Sequence, residues 1–158
     1  MYFMAPAYVA NVSAPLVRYW KGWNRPISLR WLGSHKTVMG FAAGLGGALV
    51  TTLVQHGIGW EMGMLDYDRW GALGLRFGVG AMGGDSVKSF FKRRLGIAPG
   101  RPWMPFDQLD FVLGALILVA PRPALTAGDL AVLLGLTFVG HIVVNRAAYS
   151  LGLHDVKW

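Results

Sequence analysis

The sequence predicts an all-α integral membrane protein: one domain over 1–158, with about five transmembrane helices and two cytoplasmic loops that form a polar site. Three observations point there. Only 15% of the 158 residues are charged, where a soluble domain carries about 25%. The mean hydropathy is +0.42. The 15 Lys and Arg residues, which set a net charge of +7, gather in a few segments between uncharged runs. A pI near 10.2 suggests nucleic acid, but a chain that is 54% apolar is no nucleic-acid binder, and that partner is excluded. An aromatic content of 13% excludes disorder. The absence of cysteine excludes a disulfide framework, thiol catalysis and Cys-ligated zinc.

The elements follow from the charge pattern. Residues 1–17 are apolar but interrupted by Pro6, Asn11 and Pro15, and they have no basic n-region. They read as a first span cut short at its start rather than a signal peptide. A basic loop follows, with Arg18, Lys21, Arg25, Arg30 and Lys36 and no acid. Residues 38–60 are uncharged and long enough to cross about 30 Å of hydrocarbon. Glu61, Asp66, Asp68 and Arg69 form a short connection to a third span, 70–84, whose one charge, Arg76, is expected to snorkel or pair with an acid across the bundle. Lys88, Lys92, Arg93, Arg94 and Arg101 fill a second basic loop, 85–105. The fourth span, 106–120, opens with Asp107 and Asp110; a turn carrying Arg122 leads to the fifth, 130–146.

The positive-inside rule orients this chain. If the first basic loop is cytoplasmic, alternation puts the second loop and the C-terminal tail on the same side. Together they hold 12 of the 15 basic residues, against Arg69 and Arg122 in the opposite loops. The expected placement is therefore multi-pass in the cell membrane, with the polar site facing the cytoplasm.

Gly40/Gly44, Gly74/Gly78 and Gly80/Gly84 are GxxxG pairs, which allow close helix contact in lipid. Residues 78–83 also match GxGxxG, but with no preceding strand or βαβ unit the helix-packing reading holds.

Four clusters carry candidate chemistry. Asp107 and Asp110, at i and i+3, share a helix face and can hold Mg²⁺; the same pair also suits a helix dipole at an N-terminus. Asp85, after Gly83 and Gly84, offers a third carboxylate or a partner for Lys88. Lys88, Ser89, Lys92, Arg93 and Arg94 suit a triphosphate, or simply anionic headgroups. Ser34, His35, Lys36 and Thr37 precede the long span, where a cap and an anion site both fit; GxxxxGK[ST] is absent, so no ATPase is expected. His141 lies inside a span and reads as a helix–helix hydrogen bond rather than a ligand. Three carboxylates and several cations at one membrane face suit phosphoryl or nucleotidyl transfer to a lipid, in which positioning and charge neutralisation do most of the work.

Longer motifs carry a resemblance. Residues 84–97 (GDSVKSFFKRRLGI) and 105–111 (PFDQLDF) strongly resemble the CDP-archaeol synthase family, integral-membrane CTP-dependent cytidylyltransferases related to bacterial CDP-diacylglycerol synthases. Residues 6–11 (PAYVAN), 32–40 (LGSHKTVMG) and His141, Asn145, Tyr149 and 151–153 (LGL) resemble further elements of that family, with Val38 and Met39 standing where Trp-Arg is usual. The resemblance implies that CTP and a lipid phosphate give a CDP-lipid and pyrophosphate. It implies Mg²⁺ on Asp85, Asp107 and Asp110, and phosphate contacts from Lys36, Lys88, Lys92 and Arg93. Thr37 and Ser89 would be phosphate donors, and Asn11 would bind base or ribose. Lys36, Asp85, Lys88, Asp107 and Asp110 form the implied catalytic set. Phosphatidic acid is the alternative lipid, and a non-enzymatic membrane scaffold the alternative role.

Overall fold

A computed structural model describes residues 2–17, 20–59, 65–98, 101–120 and 125–150. Arg18, Trp60, Glu61, Arg122, Lys157 and the 151–153 motif lie outside them. The described residues form five α-helices and no strand; one isolated bridge joins Pro26 and Thr37.

The helices are α1 (Ala5–Leu16), α2 (Val38–Ile58), α3 (Trp70–Arg94), α4 (Phe106–Val119) and α5 (Ala127–Ser150). Local chemistry sets their ends. Pro6 stands at the start of α1, where a missing N–H costs nothing. Thr37 caps α2, its hydroxyl accepting from the Gly40 N–H at 3.1 Å, and Gly59 closes that helix in the left-handed region at φ 66°. At α5, Thr126 Oγ1 accepts from the Asp129 N–H at 3.1 Å while Asp129 Oδ2 accepts from the Thr126 N–H at 3.0 Å, a reciprocal cap.

The expected second basic loop, 85–105, is the main departure from the sequence reading. The chain stays helical through Arg94, nearly three turns beyond the expected end of the third span. Asp85 and Lys88 pair one turn apart, and Lys92, Arg93 and Arg94 sit in the last turn, where cations suit the helix dipole. Gly96, at φ 70°, then ends the helix: the Ile97 N–H reaches the Lys92 carbonyl at 2.9 Å and the Gly96 N–H the Arg93 carbonyl at 3.3 Å. The other helices also differ from the expected limits, α1 beginning at Ala5 and α5 running from Ala127 to Ser150. Two helical stretches, Val38–Ile58 and Ala127–Ala147, are by themselves long and apolar enough to cross a membrane. At 12 and 14 residues, α1 and α4 are shorter than the usual 20 or so.

Helix α3 is the axis of the bundle and packs against α1, α2 and α4; α5 lies against α4 and is tied to α1 by a 2.6 Å hydrogen bond between Tyr8 and Thr137. All three GxxxG pairs sit in these seams. Gly44 lies against Met82 and the Ala10 carbonyl, and Gly74 and Gly78 receive Leu49 and Leu45 of α2. Tightest is the α3–α4 seam, where a Cβ on Gly84 would collide with the Asp110 carbonyl oxygen and one on Gly114 with that of Gly80. Phe77, Ala81, Phe111, Val112 and Ala115 fill the core beside it. Outward, α2 and α5 present Val50, Val54, Ile58, Val139, Val143 and Val144, an apolar surface suited to lipid.

Gly84→Ala is expected to lower the unfolding midpoint in detergent, with overpacking costing about 1–3 kcal/mol. Gly83→Ala, where a Cβ meets nothing within 4 Å, is expected to leave it unchanged or raise it slightly. Equal midpoints for the two variants in a thermal melt would contradict the close seam.

Candidate functional site

The seam delivers charge to one end of the bundle. Asp85, Lys88, Ser89 and Lys92 follow at i, i+3, i+4 and i+7 on α3, so they share one face, and that face meets the first turns of α4. Asp107 and Asp110 project from those turns. Lys36 reaches in from the residue before the α2 cap.

These side chains form a single network. Lys88 Nζ lies 3.0 Å from Asp85 Oδ1, 3.1 Å from Asp107 Oδ1 and 2.8 Å from Asp110 Oδ2. Lys36 pairs with Asp85 Oδ2. Lys92 Nζ donates to both Asp107 oxygens at 3.0 Å and to the Arg101 carbonyl at 2.6 Å. The Trp103 N–H donates to Asp107 Oδ2 at 2.5 Å, and the Phe111 N–H to Asp110 Oδ1 at 2.8 Å. Three carboxylates thus face three ammonium groups and the formal charges cancel. That balance is needed, because the three carboxylates and Lys88 and Lys92 are each at most 14% exposed, and unpaired charge at such depth is costly.

Most of the sequence-derived residues therefore meet: Lys36, Asp85, Lys88, Lys92, Asp107 and Asp110. Ser89 and Thr37 are adjacent, with their hydroxyls turned to backbone, Ser89 donating to the Asp85 carbonyl at 2.8 Å and Thr37 capping α2. Asn11 stays on α1, partly buried and outside the network. Arg93 points to another flank of α3, beside Arg30, Trp31, Phe90 and Arg94. Arg76 is exposed and pairs with no acid among the described residues. His35 is exposed, and the His141 ring lies 6.4 Å from Phe111.

The carboxylates are all hard oxygen donors converging on one point, and that chemistry fits a divalent cation. Among the described residues, however, no three acidic or histidine side chains stand as a ready metal cage, because the Lys88 ammonium occupies the centre. Metal binding at these residues thus requires Lys88 to withdraw.

Some contributors gave no sequence signal. The backbone of Arg101 and Trp103 holds Lys92 and Asp107, a role invisible in residue type. Gln108, fully buried in the first turn of α4, has no partner for either amide atom among the described residues. Its place inside PFDQLDF was the available hint.

The family model described as CarS-like, CDP-archaeol synthase, matches residues 1–158. The CDP-archaeol synthase of Thermofilum pendens is 41% identical over 100% of this chain and 79% of its own length. That of Methanopyrus kandleri is 38% identical over 100% of this chain and 91% of its own. A solved structure of an intramembrane enzyme for archaeal membrane lipid biosynthesis superposes with a TM-score of 0.69 at 30% identity, covering 91% of this chain and 90% of the other.

Lys88→Met leaves three buried carboxylates with two lysines. We expect a loss of roughly 3–5 kcal/mol of stability, since breaking a buried pair strands charge. Lys88→Met combined with Asp110→Asn should recover part of it. Denaturation in detergent measures both, and no recovery in the double variant would refute the coupling.

Proposed function

The chain belongs to the CDP-archaeol synthase family, and from that premise we propose how its own residues divide the work of the reaction. The enzyme is a membrane protein that uses CTP as a cytidylyltransferase to form CDP-archaeol. CMP passes from CTP to the phosphate of the membrane lipid, and pyrophosphate leaves. An oxygen of the lipid phosphate forms the new bond to the α-phosphorus as the bond to the β-phosphate oxygen breaks. No side-chain nucleophile is needed, so the protein's task is to place two anions together and offset their charge.

The observation that carries this reading is the convergence of Asp85, Asp107 and Asp110 on Lys88, with Lys36 and Lys92 at the flanks. In our reading the three lysines exchange carboxylate for phosphate partners when CTP enters. Lys88 moves furthest, from the middle of the carboxylates to the triphosphate. Asp107 moves least, because the Trp103 N–H still holds it once Lys92 has turned to phosphate. Asp85, Asp107 and Asp110 are the residues that would hold Mg²⁺, which would supply charge neutralisation for the phosphate oxygens. Thr37 and Ser89 offer hydroxyls to phosphate near Lys36 and Lys88, and Asn11 approaches the base or ribose from α1. Arg93 serves the incoming phosphate from the neighbouring flank.

We further place the charged end of the bundle on the cytoplasmic side of a multi-pass arrangement. Support comes from the 12 basic residues that alternation assigns to that side.

Pyrophosphate release from CTP and an archaeol-type lipid phosphate should require Mg²⁺ and should vanish in Asp110→Asn while helical content is kept. Turnover in that variant, or without divalent metal, would sink the site assignment. Phosphatidic acid offered in competition tests the lipid preference, and preferential use of the acyl lipid would overturn it. Orientation has its own test because the chain has no cysteine. A single cysteine at Leu95, which is 62% exposed, should react with a membrane-impermeant thiol reagent only after cells are opened. Labelling of intact cells would invert the topology.

A further inference from the structure

The flank of α3 turned away from the carboxylates carries a second feature. Phe90, Arg93 and Arg94 lie roughly 90–190° around the helix from the centre of the Asp85–Lys92 face at about 100° per residue. Arg30 and Trp31, from the segment before α2, meet them and enclose an open pocket of about 200 Å³. Trp31 stacks on Phe90 with centroids 5.5 Å apart and 15° between planes. The Arg94 guanidinium stands 5.0 Å from the Trp31 ring and 5.3 Å from Phe90, and that of Arg30 stands 5.6 Å from Trp31.

Three guanidinium groups thus face one cavity, and no carboxylate among the described residues pairs with any of them. Arg93 Nε is buried there without an acceptor. A guanidinium keeps its charge and all its N–H donors, so three of them on one cavity favour an anion there. The indole and phenyl faces are taken by each other and by the arginines. What the pocket offers a ligand is a set of N–H edges suited to phosphate oxygens, not a slot for a nucleobase. Its surroundings indicate how that phosphate arrives. Trp20, Trp23, Ile27 and Leu29 are exposed on the same segment, interleaved with Lys21, Arg25 and Arg30, the composition of a membrane–water interface.

We propose that the pocket formed by Arg30, Trp31, Phe90, Arg93 and Arg94 binds the phosphate headgroup of an anionic membrane lipid, at a position separate from the carboxylate–lysine site. The proposal deepens the lipid-phosphate reading and rests on its membrane placement. It gives the enzyme a capture point beside the reacting site, on the helix that carries Lys88 and Lys92.

The test uses full-length protein in neutral detergent, titrated with phosphatidic acid or phosphatidylcholine and followed by native mass spectrometry. Arg30 and Arg94 are both exposed, so Arg30→Ala/Arg94→Ala is expected to fold. The unaltered protein should retain phosphatidic acid over phosphatidylcholine, and the double variant should bind phosphatidic acid roughly tenfold more weakly. CTP affinity, and turnover at saturating lipid phosphate, should stay unchanged, which separates failure here from failure of the proposed function. Equal phosphatidic acid retention by the variant would overturn the proposal. So would a loss of CTP affinity with lipid binding intact, which would assign the pocket to nucleotide. Displacement of the lipid by inorganic phosphate at matched concentration would also overturn it, by making this a site for free phosphate.

Discussion

The close approach of α3 and α4 at Gly80, Gly84 and Gly114 is the constraint on which the rest depends. Backbone touches backbone there, with no room for a Cβ. Gly84 packs on the carbonyl of Asp110, so the residues that follow on α3 are brought against the acids that open α4. Asp85 comes directly after the contact glycine, and Lys88 follows one turn later. A wider helix spacing, of the kind leucines impose, would pull Asp107 and Asp110 away from the Lys88 ammonium. The small-residue seam serves packing in lipid and also sets the width of the polar site.

Charge balance is the second constraint, and it follows from the first. A tight seam excludes water, so the carboxylates cannot rely on hydration. They are balanced by Lys36, Lys88 and Lys92, each from a different place along the chain: one before α2, one within α3 and one in the last turn of α3. The described site is a closed set of ion pairs. In the proposed reaction a substrate rich in phosphate oxygens competes for the same lysines, and in taking them it frees the same carboxylates. In that proposal one network would serve both pairings, lysine with carboxylate and lysine with phosphate. The lysines keep an anionic partner in both arrangements, and the freed carboxylates would be balanced by the proposed Mg²⁺.

The two flanks of α3 divide by character. The face toward α4 alternates acid and lysine and is internally neutral. The flank toward Trp31 carries arginine with aromatic rings and no acid, leaving a surplus of positive charge next to an apolar, tryptophan-bearing segment. Both begin on one helix within ten residues, and helical periodicity separates them.

How much of this was legible in the sequence depended on the physics involved. Helical class, membrane character and the glycine seams are one-dimensional: uncharged length, charge asymmetry and i, i+4 spacing are present in the string itself. Asp107/Asp110 and Lys88/Lys92 were readable as pairs for the same reason, since i, i+3 and i, i+4 neighbours share a face wherever the helix lies. The extension of α3 through Arg94 is not legible in the charge pattern, because a run of basic residues suggests a loop, whereas pairing with acids and the Gly96 cap keep that stretch helical. Only the tertiary structure decided which acid meets which lysine, that Lys88 stands at the centre of three carboxylates, and that Arg93 turns away from them. Those outcomes depend on the rotation and spacing of α3 against α4 and on the path of the segment before α2. No local pattern encodes either, because both are set by contacts between residues far apart in the chain.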